Sequence, residues 1–277
     1  MNTNGSRVGI ALGGGGVRGL GHVPSLETID ACGIEPAVIA GTSMGAVIGV
    51  LYATGMSGKD IRGFVERHIV MRNDTIKSLY AKRAFLLKWL KSVRLSWRRA
   101  GLLQADGFLR YLMEQIDAET FEELRVPLRI VATDFHSGQP VVFDSGRLFP
   151  ALKASMSIPG VLVPVQHEGR ILVDGGVSNN LPYDILVDEC DVTIAVDVLP
   201  ARREANSRSL DTVDAMLGMF DIFSNGITRA MIEKQPPDIY FNPQLVGIRI
   251  LEFDKAEEVF RQTEAAIPKL KGKLEAL

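Results

Sequence analysis

Short, unbroken apolar runs alternate along this chain with longer segments of helical periodicity. Residues 7–12 (RVGIAL), 37–39 (AVI), 128–134 (LRIVATD), 170–173 (RILV) and 192–198 (VTIAVDV) read as strands buried on both faces. Helices are expected at about 20–31, 46–53, 59–66, 103–116 (begun near Asp106), 148–155, 181–190, 210–234 and 255–274. Residues 140–144 (PVVFD) pair with 128–134 across His136-Ser137-Gly138, and 239–241 form a last strand. Strands interleaved with helices predict an α/β fold: a three-layer α/β/α sandwich with a mixed, mostly parallel central sheet. In the helix at 210–234, Met216, Met219, Phe220 and Phe223 read as core packing.

Two of the strand-to-helix turns carry chemistry. After the run 37–39 comes AGTSMGAVIG, with Gly41, Ser43 and Gly45 in the G-x-S-x-G spacing of a nucleophile elbow. Such a turn holds its serine in a strained conformation at a helix N-terminus, where free N–H groups favour negative charge. A side chain at either flanking position would crowd the neighbouring strand or helix. A plain turn with Ser43 as helix cap is the alternative. After residues 7–12 comes Gly13-Gly14-Gly15-Gly16-Val17-Arg18-Gly19, a backbone-lined anion site. Gly14, Gly16 and Gly19 satisfy the dinucleotide fingerprint, but Glu35 precedes the second strand instead of ending it. In a parallel sheet both loops open on one edge, so an oxyanion hole serving Ser43 is the favoured reading.

A serine nucleophile needs a base. The chain's four histidines, His22, His68, His136 and His167, all precede Asp174, so the order Ser, acid, His cannot be completed there. None has a motif around it. Asp174 ends the strand at 170–173 and is followed by Gly175-Gly176, which leaves room for close approach. A carboxylate acting directly on Ser43 is the economical arrangement.

These motifs, in this order, together with Ser157-Ile158-Pro159-Gly160 and Asn179-Asn180-Leu181-Pro182, resemble the patatin-like phospholipases, and most closely their compact bacterial members. The resemblance covers about residues 7–200. It implies Ser43 as nucleophile, Asp174 as general base, and an oxyanion hole among the N–H groups of Gly14, Gly15, Gly16 and Val17. It further implies a lipid acyl hydrolase that cleaves ester bonds of phospholipids or lysophospholipids, with no metal and no cofactor. An acyl-thioesterase or acyltransferase with the same dyad, and a catalytically idle membrane adapter, are the alternatives. Arg18 either binds a substrate anion or braces the loop, and bracing is favoured. Gly13 stands where plant members often carry aspartate.

Composition adds location and partners. The chain of 277 residues reads as one domain, with core motifs over about 7–200 and a C-terminal helical closure over about 208–277. Cys32 and Cys190 lie far apart and read as reduced, and the N-terminus lacks a signal-peptide layout, so a cytoplasmic protein is expected. Lys77–Arg99 carries eight basic and no acidic residues, although the whole chain has a net charge of −2. That overall charge argues against nucleic acid as a partner. Trp89 and Trp97 lie on the apolar side of this basic, amphipathic stretch, within a cap at about 77–103. Lys88, Trp89, Lys91 and Trp97 are candidate contacts with substrate or with an anionic membrane, which would place the protein peripherally at the inner membrane surface. A cap helix packed on the core is the other reading. Neutralising Lys88, Lys91, Arg98 and Arg99 together is expected to weaken cosedimentation with anionic vesicles. Equal binding by that variant would retire the membrane contact.

Overall fold

The computed structural model describes residues 5–68, 106–200 and 212–277. The basic segment, with Lys88, Trp89, Lys91 and Trp97, lies outside the described residues. In chain order the elements are β1 (Val8–Leu12), α1 (His22–Ala31), β2 (Val38–Thr42), α2 (Met44–Ala53), α3 (Gly58–His68), α4 (Asp106–Met113) and β3 (Leu128–Asp134). They continue with β4 (Pro140–Phe143), α5 (Leu148–Ser155), β5 (Val165–His167), β6 (Arg170–Asp174), β7 (Val192–Val196), α6 (Thr212–Lys234), β8 (Ile239–Phe241) and α7 (Ala256–Leu274).

The strands form one mixed sheet in the order β5-β6-β3-β2-β1-β7-β8, with β4 also on β3. The five strands β3, β2, β1, β7 and β8 run parallel, while β4, β5 and β6 add antiparallel pairings. Strand alternation divides the core. Val8, Ile10 and Leu12 of β1 face a large apolar cluster shared with α1, α2, α3, α4, α5 and α7. Ala11, Ala40 and Ala195 face the other way, against Leu181, Tyr183 and Leu186 and the end of α6. The sandwich is therefore three-layered, with a thick helical layer on one face and a thin one on the other.

Two expectations fail on that thin face. Residues 181–190 form a single 3-10 turn (Asp184–Leu186) among irregular turns, not a helix. The small sheet residues let this backbone lie close, and Leu181, Tyr183 and Leu186 point inward at a spacing no helix face offers. Of the α6 residues expected in the core, Met216, Met219 (49% exposed) and Phe223 (64% exposed) are outside it, while Phe220 packs against Ile158, Leu217 and Ile250. The buried stripe of α6 is instead Leu217, Gly218, Asp221, Ser224 and Thr228, because this helix packs on polar loops.

Register decides where the strand ends meet. On β3, Ile130 and Val131 pair with β2 on one flank and with β4 on the other. Ala132 and Thr133 pair with β4 and with β6. It follows that β2 and β6 occupy the same flank of β3, running toward each other head to head. Thr42, the last residue of β2, opposes Val131, and Asp174, the last residue of β6, opposes Ala132.

The turn after β2 depends on both its glycines. A β-carbon on Gly45 would lie 2.1 Å from the Leu12 carbonyl oxygen, and one on Gly41 would lie 2.7 Å from the Ala46 backbone. Gly45→Ala is expected to cost about 3 kcal/mol by overpacking against backbone that cannot yield. Gly226→Ala, on α6 with no atom near the new methyl group, should gain about 0.5–1 kcal/mol. Urea denaturation of the two variants checks both signs.

Candidate active site

Ser43 sits between β2 and α2 with φ 53 and ψ −122, a left-handed conformation that a non-glycine residue adopts only when its surroundings impose it. The imposition is visible. Its N–H donates to Ser155 Oγ at 2.8 Å, and Ser155 Oγ in turn donates to the Val131 carbonyl at 2.6 Å. Beside it, Thr42 Oγ1 donates to the Asn179 carbonyl at 2.9 Å. The serine is thus fixed from α5, from β3 and from the loop after β6.

Asp174 comes to the same place from the opposite direction and is fully buried. Its Oδ1 accepts the Gly176 N–H at 2.8 Å, and its Oδ2 has no hydrogen-bond partner. Burial pushes the carboxyl up to about 7; the Gly176 N–H and the Ser43 hydroxyl, which lies close enough to act on it, pull the other way. Gly175 has no side chain because a β-carbon there would meet the Val131 carbonyl oxygen at 2.3 Å.

The glycine loop closes the third side. A β-carbon on Gly14 would lie 3.2 Å from Ser43 Cβ. Of the four N–H groups expected to form an oxyanion hole, two are already engaged. The Gly14 N–H donates to the Asn180 carbonyl at 3.1 Å and the Val17 N–H to the Ile250 carbonyl at 2.8 Å. The N–H groups of Gly15 and Gly16 have no acceptor among the described residues. Gly16 turns at φ 58 directly over the Ile250 carbonyl, which is why the loop can pair Val17 there.

Arg18 is buried and braces the loop. It donates to the Gly15 carbonyl at 3.1 Å and forms a two-pronged ion pair with Asp221 of α6, its shorter arm 2.6 Å. Ser224, one turn on, donates to the Gly176 carbonyl at 2.7 Å. One helix therefore holds the glycine loop and the loop after Asp174 together. His22 is packed under the same loop: its Nε2 donates to the Gly13 carbonyl at 2.7 Å, and burial lowers it to about 4, so it is neutral at pH 7. No hydrogen bond joins any histidine to Ser43 or Asp174 among the described residues.

The site residues legible in the motifs converge here; Ser155, Asn180 and Asp221 join them without having been assigned a role. Ser155 and Asn180 lie in or beside the two lesser motifs, but nothing in the linear pattern shows what they bond. Asp221, more than two hundred residues from Arg18, had no signal at all.

This constellation belongs to a known class. The family model for patatin-like phospholipases matches residues 10–187, and the chain belongs to that family. An uncharacterised NTE family protein of Mycobacterium bovis is 34% identical over 193 residues, which cover 69% of this chain and 49% of that protein. A lysophospholipase NTE1 of Kluyveromyces lactis is 26% identical over 284 residues, covering 93% of this chain and 19% of its own. The chain thus spans about half the length of the first and a fifth of the second. Among solved structures, VipD from Legionella pneumophila shares the fold, with a TM-score of 0.54 and 14% identity over 96% of this chain and 67% of that one.

The raised Asp174 group makes stability depend on pH. The folded chain binds a proton between the ordinary carboxyl value of 3.8 and about 7 that the unfolded chain has released. This group alone lowers stability by up to about 4 kcal/mol as pH rises from about 4 to about 7, while His22, lowered to about 4, contributes the opposite slope over the lower part of that range. Asp174→Asn is expected to remove the Asp174 contribution, read as a melting temperature that rises relative to wild type between pH 4 and 8. An unchanged profile would place the ionised carboxylate in a better-solvated setting.

Proposed function

We propose that this chain is a serine hydrolase of lipid acyl esters, cleaving phospholipid or lysophospholipid through Ser43 and Asp174. The observation that carries the reading is a strained, buried serine at a strand-to-helix elbow, beside a buried carboxyl raised to about 7. A general base works best when its pKa lies near the working pH, and an ordinary carboxylate near 4 is too weak to take a serine proton. Burial removes that objection.

Asp174 accepts the hydroxyl proton as Ser43 Oγ attacks the ester carbonyl, and the C=O electron pair moves onto oxygen. The free N–H groups of Gly15 and Gly16 receive that oxyanion, each donor contributing about 3–4 kcal/mol to the barrier reduction. As the intermediate collapses, Asp174 returns the proton to the departing alkoxide, leaving an acyl-Ser43 ester. Water then repeats the sequence: Asp174 takes its proton, the fatty acid leaves, and Ser43 recovers its hydrogen. Nucleophile, base and oxyanion donors all come from the chain. The lysophospholipase among its relatives supports a lipid ester as substrate. No described helix is long and apolar enough to cross a membrane, so a bilayer substrate would be met at its surface.

Hydrolysis of p-nitrophenyl butyrate and of a lysophospholipid by wild type, Ser43→Ala and Asp174→Asn tests the reading. Both variants should lose about 10³-fold or more in kcat/KM, and wild-type activity should rise with pH through about 7. Retained activity in Asp174→Asn would assign another base. An inert wild type that also fails to react with a fluorophosphonate would favour the adapter.

A further inference from the structure

Asn180 is the buried side chain that touches both halves of the site. Its carbonyl accepts the Gly14 N–H at 3.1 Å, and its Nδ2 donates to the Gly14 carbonyl at 3.2 Å. One residue thereby closes a two-bond ring on the glycine loop. The second bond also fixes the amide's orientation, since turning it over would set its oxygen against the Gly14 carbonyl oxygen. Oδ1 is therefore the atom left facing the site.

That oxygen is closed off from solvent and has no hydrogen-bond partner among the described residues, and Asp174 Oδ2 has none within ordinary hydrogen-bond geometry there. Asn180 Oδ1 lies in the neighbourhood of both reacting groups. A β-carbon on Gly14 would lie 2.7 Å from it and 3.2 Å from Ser43 Cβ. A β-carbon on Gly176 would lie 2.9 Å from it and 3.2 Å from Asp174 Oδ1. Unpaired buried acceptors are rare in folded proteins, and two in one site call for a physical account.

We infer that Asn180 is a positioning residue of this site: it tethers the glycine loop and sets the basicity of Asp174 by placing an uncompensated amide oxygen beside its carboxyl group. A neutral carboxyl carries a proton that an amide oxygen can accept, whereas a carboxylate puts negative charge next to the negative end of the amide dipole. The proton-bearing form is favoured, and Asp174 becomes the stronger base. Burial acts in the same direction, and the Gly176 N–H and Ser43 hydroxyl oppose both. The inference rests on the roles proposed for Ser43 and Asp174.

The test is the pH dependence of kcat/KM on p-nitrophenyl butyrate for wild type, Asn180→Ala and Asn180→Asp. Removing the amide oxygen should move the acid limb down by ~1 pH unit. Asn180→Asp, which keeps the shape but adds a carboxylate, should move it up. A purely structural tether would lower the rate of Asn180→Ala and leave its limb where it is, and that result overturns the inference. If Asn180→Ala does not fold, Asn180→Leu, which keeps the shape without the amide dipole, decides in its place: an unmoved limb overturns the inference. Melting temperature from pH 4 to 8 gives a second readout that needs no activity: Asn180→Ala should rise relative to wild type as pH increases, and a constant difference overturns the inference. Should Ser43→Ala keep full activity, the proposed function fails, and the melting series still judges Asn180.

Discussion

Everything at the site depends on one feature of strand pairing: β2 and β6 share a flank of β3. Two strands of opposite direction stop on that flank at adjacent β3 residues, Val131 and Ala132. The residue after one and the last residue of the other are then forced together, whatever their chemistry. Here they are Ser43 and Asp174. Backbone hydrogen bonds fix the distance between nucleophile and carboxyl, and no flexible loop has to find it. The glycines at 41, 45 and 175 follow from the same constraint, because each stands where a neighbouring backbone atom fills the space of a side chain.

The arrangement is costly. Ser43 holds a backbone conformation worth about 1–3 kcal/mol of strain, and among the described residues Asp174 has no counter-ion and two buried acceptor oxygens have no hydrogen-bond partner. The compensation comes from residues that do no chemistry themselves. Ser155 takes the Ser43 N–H, Thr42 reaches across to the Asn179 carbonyl, and α6 clasps both loops through Asp221 and Ser224. A bidentate ion pair as deeply buried as Arg18–Asp221 adds little net stability over an apolar contact, but it tolerates one geometry only. Its value here is direction: it fixes the Gly15 carbonyl, and with it the bend that leaves the next N–H groups open.

The convergence of Ser43 and Asp174, the proposed nucleophile and base, was legible in the sequence because their demands are local. An elbow needs glycines two residues either side of the serine, and a loop that approaches a carboxylate needs Asp-Gly-Gly. The strands were legible because a buried parallel strand is an unbroken apolar run. The supporting residues were hidden because their partners are distant in sequence: Ser155 lies 112 residues from Ser43, Asn180 lies 166 from Gly14 and Asp221 lies 203 from Arg18. Which glycine N–H groups are free was equally hidden, since it is decided by the carbonyls of Asn180 and Ile250, two residues that no loop motif can announce.

The long helix α6 shows how pattern reading inverts near a polar site. Apolar residues are assigned inward because most helices pack on an apolar core. The inner face of α6 meets instead a guanidinium and a loop carbonyl, so its inward positions carry Asp221, Ser224 and Thr228, and Met219 and Phe223 are left outside. The periodicity is intact and its phase is opposite. Phase is set by whatever the helix packs against, and that surface exists only once β6 and β1 have brought the glycine loop and the Asp174 loop to one edge of the sheet. A buried polar stripe on a helix therefore reports on the site beneath it, and the residues in that stripe are the ones that hold the site in shape.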